Sequence, residues 1–239
     1  MATLELFNPD DVERVLCVVA HPDDMEYGGS AAVAEWTARG IEVSYLLLTA
    51  GEAGIRSMNP AEVGPLRAAE QRAGCDEVGV SRLTILDFPD GLLEPNLALR
   101  EVICREIRTV KPQLVMTMSW ELEAGWGLNH ADHRATGISV VDAVRDADNP
   151  WLFMDQLASG ELTAWKASWL CVTMYRPGHA IEVSAESLER GVSSLEAHRD
   201  YLAALPDHPA PRDLITGILS EGGEAAGVPY ALPIHAFAM

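Results

Sequence analysis

RVLCVVAHPDD, Arg14 to Asp24, is the stretch that decides how the rest of the chain reads. Its first seven residues form an apolar, Val-rich run of strand length, and it closes on an imidazole, a ring that fixes φ and two adjacent carboxylates. Outward from this strand the elements alternate. Gly29 to Arg39 is helical and stops at Gly40, a C-terminal glycine. IEVSYLLLT, Ile41 to Thr49, is the next strand, and a Gly-rich loop, AGEAGIRSMNP, leads to a helix from about Gly64 to Val78. LTILDFP (Leu83 to Pro89) is strand, Asn96 to Thr109 amphipathic helix, Gln113 to Ser119 strand, and Asn129 to Asp146 begins as loop and continues as helix. This order predicts an α/β fold, a doubly wound, mostly parallel sheet with helices on both faces. From Trp151 the pattern changes: SWLCVTMY and AIEVS are strand-like and precede a helix from about Ala185 to Leu205. No repeat, low-complexity segment or linker cuts the chain, so residues 1–239 are expected to form a single domain, with its core part at about 12–146 and a C-terminal strand-helix part at about 165–239.

Composition narrows the partners. With 239 residues and 48% hydrophobic content the chain can bury a sizeable core. Its 17 basic and 36 acidic residues give a formal net charge of -19, which disfavours a nucleic-acid surface or an anionic membrane and suits a neutral or cationic small molecule. Cys17, Cys75, Cys104 and Cys171 have no CxxC spacing and read as small buried residues of a reducing compartment. No stretch has the pattern of a signal peptide or the ~20 apolar residues of a membrane span, so the expected location is cytoplasmic.

A doubly wound sheet places its functional loops at the carboxyl ends of its strands. There the sequence puts His21, Asp23 and Asp24; then Thr49, Glu52 and Arg56; then Asp87 and Asp90; then His130, Asp132 and His133. His21, Asp24 and His133 can supply the three protein ligands of a catalytic zinc site, with a position left open for water. Such an ion lowers the pKa of its water from 15.7 towards ~7 and polarises a carbonyl, which suits amide or ester hydrolysis. Asp23 is then the candidate general base and His130 the candidate acid for a leaving amine. Plainer uses stand beside these: adjacent Asp residues cap helices and stabilise turns, and Asn129 can cap the helix that follows, with Asp132 in its first turn.

AHPDDMEYGG (Ala20 to Gly29), together with DHRATG (Asp132 to Gly137), resembles the LmbE-like, PIG-L-type N-acetylglucosaminyl deacetylases. LRAAE at Leu66 to Glu70, FPDG at Phe88 to Gly91 and AHR at Ala197 to Arg199 extend the resemblance through most of the chain. It implies a Rossmann-like fold and a Zn2+ ion, for which Fe2+, Mn2+ or Co2+ can substitute. It implies hydrolysis of N-acetyl groups from amino sugars in small glycosides, thiol-cofactor precursors, glycolipids or antibiotics. Carried over residue by residue, His21, Asp24 and His133 bind the metal, Asp23 is the base, and His130 is the acid or the positively charged partner of the tetrahedral intermediate, tuned from behind by Asp132. Arg67 and Asp90 match positions that hold sugar hydroxyls in relatives, and soluble relatives form trimers or hexamers. The chain departs from the pattern at Ala131, where relatives often have proline, and at Leu128, where some have a tyrosine. Arg56, His179 and His198 are further candidates for the cavity rim, as are the aromatic side chains of Trp120, Trp126, Trp151 and Trp165. Two other functions fit the same residues: a metal-dependent amidase acting on a larger thiol or sugar conjugate, and a sugar-binding protein without catalysis, against which the intact Asp23 and His130 argue.

Overall fold

A two-residue strand, β1 (Glu5–Leu6), precedes the apolar run, which becomes β2 (Arg14–Val19). The computed structural model describes residues 3–27, 29–125 and 127–239; Gly28 of the first motif and Trp126 lie outside them. Next come α1 (Gly29–Ala38), β3 (Glu42–Leu47), α2 (Pro60–Val78), β4 (Arg82–Ile85), α3 (Leu97–Val110) and β5 (Leu114–Met118). A small hairpin, β6 (Glu123–Ala124) and β7 (Gly127–Leu128), leads into α4 (Ala131–Asp148). The C-terminal part supplies β8 (Trp169–Thr173), β9 (His179–Glu182), α5 (Ala185–Glu196), α6 (Arg199–Ala203), α7 (Pro211–Ala226) and β10 (Ala231–Ala238).

One eight-stranded sheet runs β1-β9-β10-β8-β5-β2-β3-β4, and every pairing is parallel except those of β10 with β8 and β9. β2 is central, with Val15, Leu16, Cys17 and Val18 fully buried, as a continuous apolar run in a two-sided parallel sheet must be. From β2 the chain moves through β3 to β4 on one side, then returns to form β5 on the other. The order therefore reverses between β2 and β5, and the crevice above that reversal is where a doubly wound sheet takes its ligand. Helices α1, α2 and α5 pack together in one layer, α3 and α4 in another.

Two helices and the last strand differ most from the sequence reading. The second helix begins at Pro60, because the Asn59 side chain accepts the Ala61 N–H (3.0 Å) and proline suits the first helical turn. The helix expected over Ala185 to Leu205 is broken after Glu196, with His198 in the break, and resumes as α6. Periodicity does not single out the last strand, β10, which lies between β8 and β9 and closes the C-terminal half of the sheet. Among the described residues no helix is long and apolar enough to cross a membrane.

Candidate metal centre

β2 ends because its next residues turn their polar groups on one another. The His21 N–H donates to Asp24 Oδ2 (2.7 Å), Pro22 fixes its own φ, and Asp23 adopts φ 85°, a left-handed conformation that costs a residue with a Cβ. This tight turn aims His21, Asp23 and Asp24 at the crevice while leaving all three buried. From the other side of the reversal, α4 starts at its N-cap His130, whose Nδ1 accepts the Asp132 N–H (3.2 Å). The cap is thus His130 rather than Asn129.

The two motifs meet at Asp24. Its Oδ1 lies 3.1 Å from His133 Nε2 and its Oδ2 3.5 Å from His21 Nδ1. One donor atom each from His21, Asp24 and His133 lie within 4.8 Å of one another, a spacing that a single cation can bridge. The outer nitrogens are held as metal-binding histidines require. Asn129 Nδ2 donates to Ser119 O (2.8 Å) and Glu121 O (3.0 Å), so its Oδ1 faces His133 Nδ1 (3.2 Å) and accepts a hydrogen bond from its N–H. That turns Nε2 of His133 toward Asp24. His21 Nε2 lies 3.0 Å from Asp90 Oδ1 and 3.2 Å from Asp132 Oδ2, leaving Nδ1 on the inner side. Two imidazoles and a carboxylate, each imidazole braced by an oxygen, fit a zinc-class ion.

A second cluster, His21, His130 and Asp132, also comes within bridging distance. Its carboxylate is already engaged: Asp132 is fully buried and accepts from Gly91 N (2.7 Å) and Leu93 N (3.1 Å) besides facing His21. These contacts correct its expected placement. Asp132 braces His21 instead of standing behind His130, which it touches only through its backbone N–H.

Charge follows the same geometry. Burial alone would raise Asp24, but His133 and His21 drive its pKa well below the usual carboxylate range. Burial opposes charge on His21, yet Asp24, Asp132 and Asp90 outweigh it and hold the ring well above its ordinary value. Asp23 is pushed up to about 7 by burial, with Arg67 pulling down and Asp24 adding to the push. Its Oδ2 is 3.1 Å from Arg67 Nη2 but receives no aligned hydrogen bond, which leaves a lone pair for a proton. His130 is lowered, by burial first and then by His21 and His133; Asp132 pulls the other way and is outweighed. At neutral pH the ring is uncharged, and with Nδ1 accepting from Asp132, its proton sits on Nε2.

The remaining candidates separate. Asp90 is part of the centre through His21, and its Oδ2 accepts the Ala53 N–H (2.8 Å). Arg67, expected at sugar hydroxyls, is buried beneath Asp23, where it donates to Pro22 O (2.6 Å) and Gly51 O (3.0 Å) and lies over the Tyr201 ring at 3.9 Å. A Cβ at Gly51 would collide with that guanidinium, so glycine is required there. Arg56 is exposed and lines a cavity of about 430 Å³ with Gly54, Ser57, Ala204 and Leu205. His179 lies on β9, accepting from Ala236 N (3.3 Å) away from the centre, and His198 is fully buried. Trp120 stacks against Tyr175 (centroids 4.6 Å apart), Trp165 donates to Pro112 O (2.7 Å), and Trp151 is exposed. Leu128, in the tyrosine position of some relatives, is 74% exposed and offers no polar group. A larger cavity, about 570 Å³, opens between α2, α5 and α6, and none of the three ligands lines it.

The chain also resembles known proteins. A family model described as PIG-L, GlcNAc-PI de-N-acetylase, matches residues 16–144, the span that carries every residue of the centre. A diacetylchitobiose deacetylase of Thermococcus kodakarensis is 34% identical over 159 residues, covering 65% of this chain and 57% of the relative; this chain thus spans little more than half of that protein. A 1D-myo-inositol 2-acetamido-2-deoxy-alpha-D-glucopyranoside deacetylase of Geodermatophilus obscurus is 29% identical over 222 residues, covering 81% of this chain and 74% of the relative. The solved N,N'-diacetylchitobiose deacetylase of Pyrococcus horikoshii shares the fold with a TM-score of 0.86 at 23% identity, over 98% of this chain and 87% of that one.

Proposed function

The chain belongs to the PIG-L, GlcNAc-PI de-N-acetylase, family, and from that premise we propose that it is a metal-dependent hydrolase that removes the acetyl group from an N-acetylglucosamine-type sugar. The observation that carries this is the orientation of the two imidazoles: Asn129 on one side and Asp90 with Asp132 on the other turn an inner nitrogen of His133 and of His21 toward Asp24. His21, Asp24 and His133 would hold the ion. When bound, a divalent cation, Zn2+ or in its place Fe2+, Mn2+ or Co2+, supplies Lewis acidity to the amide carbonyl and to the attacking water.

The chain's own groups do the rest. Asp23, with an unpartnered Oδ2 and a pKa pushed up by burial to about 7, takes a proton from the attacking water as its oxygen bonds to the acetyl carbon. Arg67 beneath it favours the ionised form and holds the carboxylate in place. As the C–N bond breaks, the same carboxyl returns that proton to the leaving nitrogen, giving acetate and a free amine. His130, neutral with its proton on Nε2, is suited to donate a hydrogen bond to the carbonyl oxygen as negative charge develops there, the task for which Leu128 has no group. This differs from the acid role expected of His130, because burial and two neighbouring imidazoles disfavour its charged form.

Metal analysis of the purified protein, joined to an amine-release screen over N,N'-diacetylchitobiose and N-acetylglucosamine glycosides, tests the proposal. The expected result is tightly held divalent metal and release of acetate and amine in equal amounts. Release of a larger acid instead of acetate would mark an amidase, and no release from any member by metal-loaded protein would leave a binding protein on this fold.

A further inference from the structure

Behind the base, on the side away from the crevice, lies a chain of buried polar groups that the ligand set does not use. The Asp23 N–H donates to Gln71 Oε1 (2.9 Å), and Gln71 Nε2 donates to Glu26 Oε1 (2.9 Å), which also accepts from Ser194 Oγ (3.2 Å). Gln71, Glu26 and Ser194 are at most 1% exposed. Polar groups buried this deeply are costly unless they satisfy one another, and this set joins the turn before α1 to α2 and α5 through such bonds. We infer that Glu26 and Gln71 are positioning residues that fix the backbone of Asp23 in its left-handed turn and thereby aim the base.

The geometry makes each member necessary. At φ 85° the Asp23 backbone is in a conformation that other residues avoid, and such a residue stays there only when its surroundings over-determine it. Arg67 holds the side chain, and Gln71 holds the N–H. An amide side chain can present either its oxygen or its NH2 group to that N–H; only the oxygen binds it. At the opposite end Glu26 Oε1, the oxygen that also receives the Ser194 hydroxyl, selects that orientation, because the flipped amide would set oxygen against this accepting oxygen and NH2 against the Asp23 N–H. The Glu26 side chain thus acts on the Asp23 N–H through Gln71, while its main-chain N–H donates to the Asp23 carbonyl (2.8 Å).

The inference rests on Asp23 being the base, and its test keeps the two ideas separable. Four variants of the full chain are compared with the wild type after metal loading: Gln71→Met, Glu26→Leu, Glu26→Gln and the double variant Glu26→Leu/Gln71→Met. Gln71→Met should lower kcat by roughly 10-fold or more, the scale of a small misplacement of a reacting group, with KM and metal content within about 2-fold of wild type. Glu26→Leu should lower kcat in the same sense, and the double variant should be no slower than Gln71→Met alone, because the two lie on one path. Glu26→Gln, which retains an oxygen acceptor for Gln71, should recover most of the loss. In parallel, hydrogen exchange at the Asp23 amide, read by NMR, should accelerate in Gln71→Met and Glu26→Leu while amides in β2 and β3 stay protected. Multiplying losses in the double variant, loss of metal, or an Asp23 amide that stays protected would overturn the relay. Should Glu26→Leu fail to fold, Gln71→Met and Glu26→Gln decide alone. If the wild type releases no amine at all, the proposed activity falls, and the exchange measurement still judges the relay.

Discussion

His198 should make the protein lose stability in acid, by an amount the structure sets. The ring is fully buried in the break between α5 and α6, and neither ring nitrogen has a hydrogen-bond partner. Its nearest carboxyl, Glu26, is 3.9 Å away and is itself pushed up to about 8 by burial, so it is uncharged at neutral pH and offers an imidazolium no partner. Burial first, and then the positive charge of Arg67, lower His198 from 6.5 to about 3. The unfolded chain therefore takes up this proton near 6.5 and the folded one only near 3, so the contribution is fully present above pH 6.5 and is lost as pH falls through that window. Between pH 7.5 and 5.0 the loss is about 2 kcal/mol, from ~1.4 kcal/mol per pH unit below 6.5. His198→Phe keeps a planar ring and gives up no hydrogen bond. Urea unfolding of metal-free wild type and variant should give stabilities within ~1 kcal/mol of each other at pH 7.5. At pH 5.0 the variant should gain about 2 kcal/mol relative to wild type, or roughly 4–8 °C in Tm. Metal ligands titrate alike in both proteins and cancel in the comparison. Equal pH slopes for the two would show that the buried ring is protonated in the folded state or exchanges its environment on acidification, and the reasoning would fail.

Three further outcomes follow from the site and its supports. Asp23→Asn should keep metal content near that of wild type while amine release falls ~10²-fold or more; an emptied site would instead make Asp23 a ligand. Asn129→Leu removes the acceptor that orients His133, and competition with a chromophoric chelator should show metal affinity weakened by about 10- to 100-fold. Arg108 is fully buried on α3 and donates to Asp146 O (3.1 Å), Asn149 O (2.9 Å), Leu152 O (3.0 Å) and Gln156 Oε1 (3.1 Å). Arg108→Met removes these bonds and takes from Leu152 O and Gln156 Oε1 their buried donor, and Tm should drop by roughly 6–12 °C, as expected for a loss of about 3 kcal/mol.

What could be read from the residues was what depends on short spacing and on strand order. HPDD and the NHADH stretch each bring their groups together within a single turn, and strand-helix alternation alone puts both turns on one edge of the sheet. The layer beneath was hidden because tertiary contacts make it. Asn129 looks like a helix cap, and only the carbonyls of Ser119 and Glu121, which take up its NH2, turn its oxygen to His133. Nothing in DHRATG tells that Asp132 points at His21 across the crevice, or that Gly91 and Leu93 hold it there. Arg67 carries the clearest missed signal: a helix arginine opposite a Gly-rich loop, where the missing Cβ at Gly51 lets a guanidinium reach the main chain.

The division between these layers explains how the site tolerates its own strain. The ligand turn places three ionisable side chains in a buried left-handed bend at the end of a central, buried strand, which is unfavourable in backbone and charge alike. Each unfavourable element is met by a group from a different part of the chain. Arg67 of α2 opposes the charge of Asp23, Gln71 of the same helix binds its N–H, Asn129 before α4 orients His133, and Asp90 after β4 joins Asp132 of α4 on His21. Because the supports come from α2, α4 and the loop after β4 while the ligands come from β2 and α4, the turn can hold its geometry only once the parallel sheet and both helical layers are assembled. The reactive arrangement is thus a property of the folded whole, and the motif at Arg14 to Asp24 specifies its chemistry without being able to hold it alone.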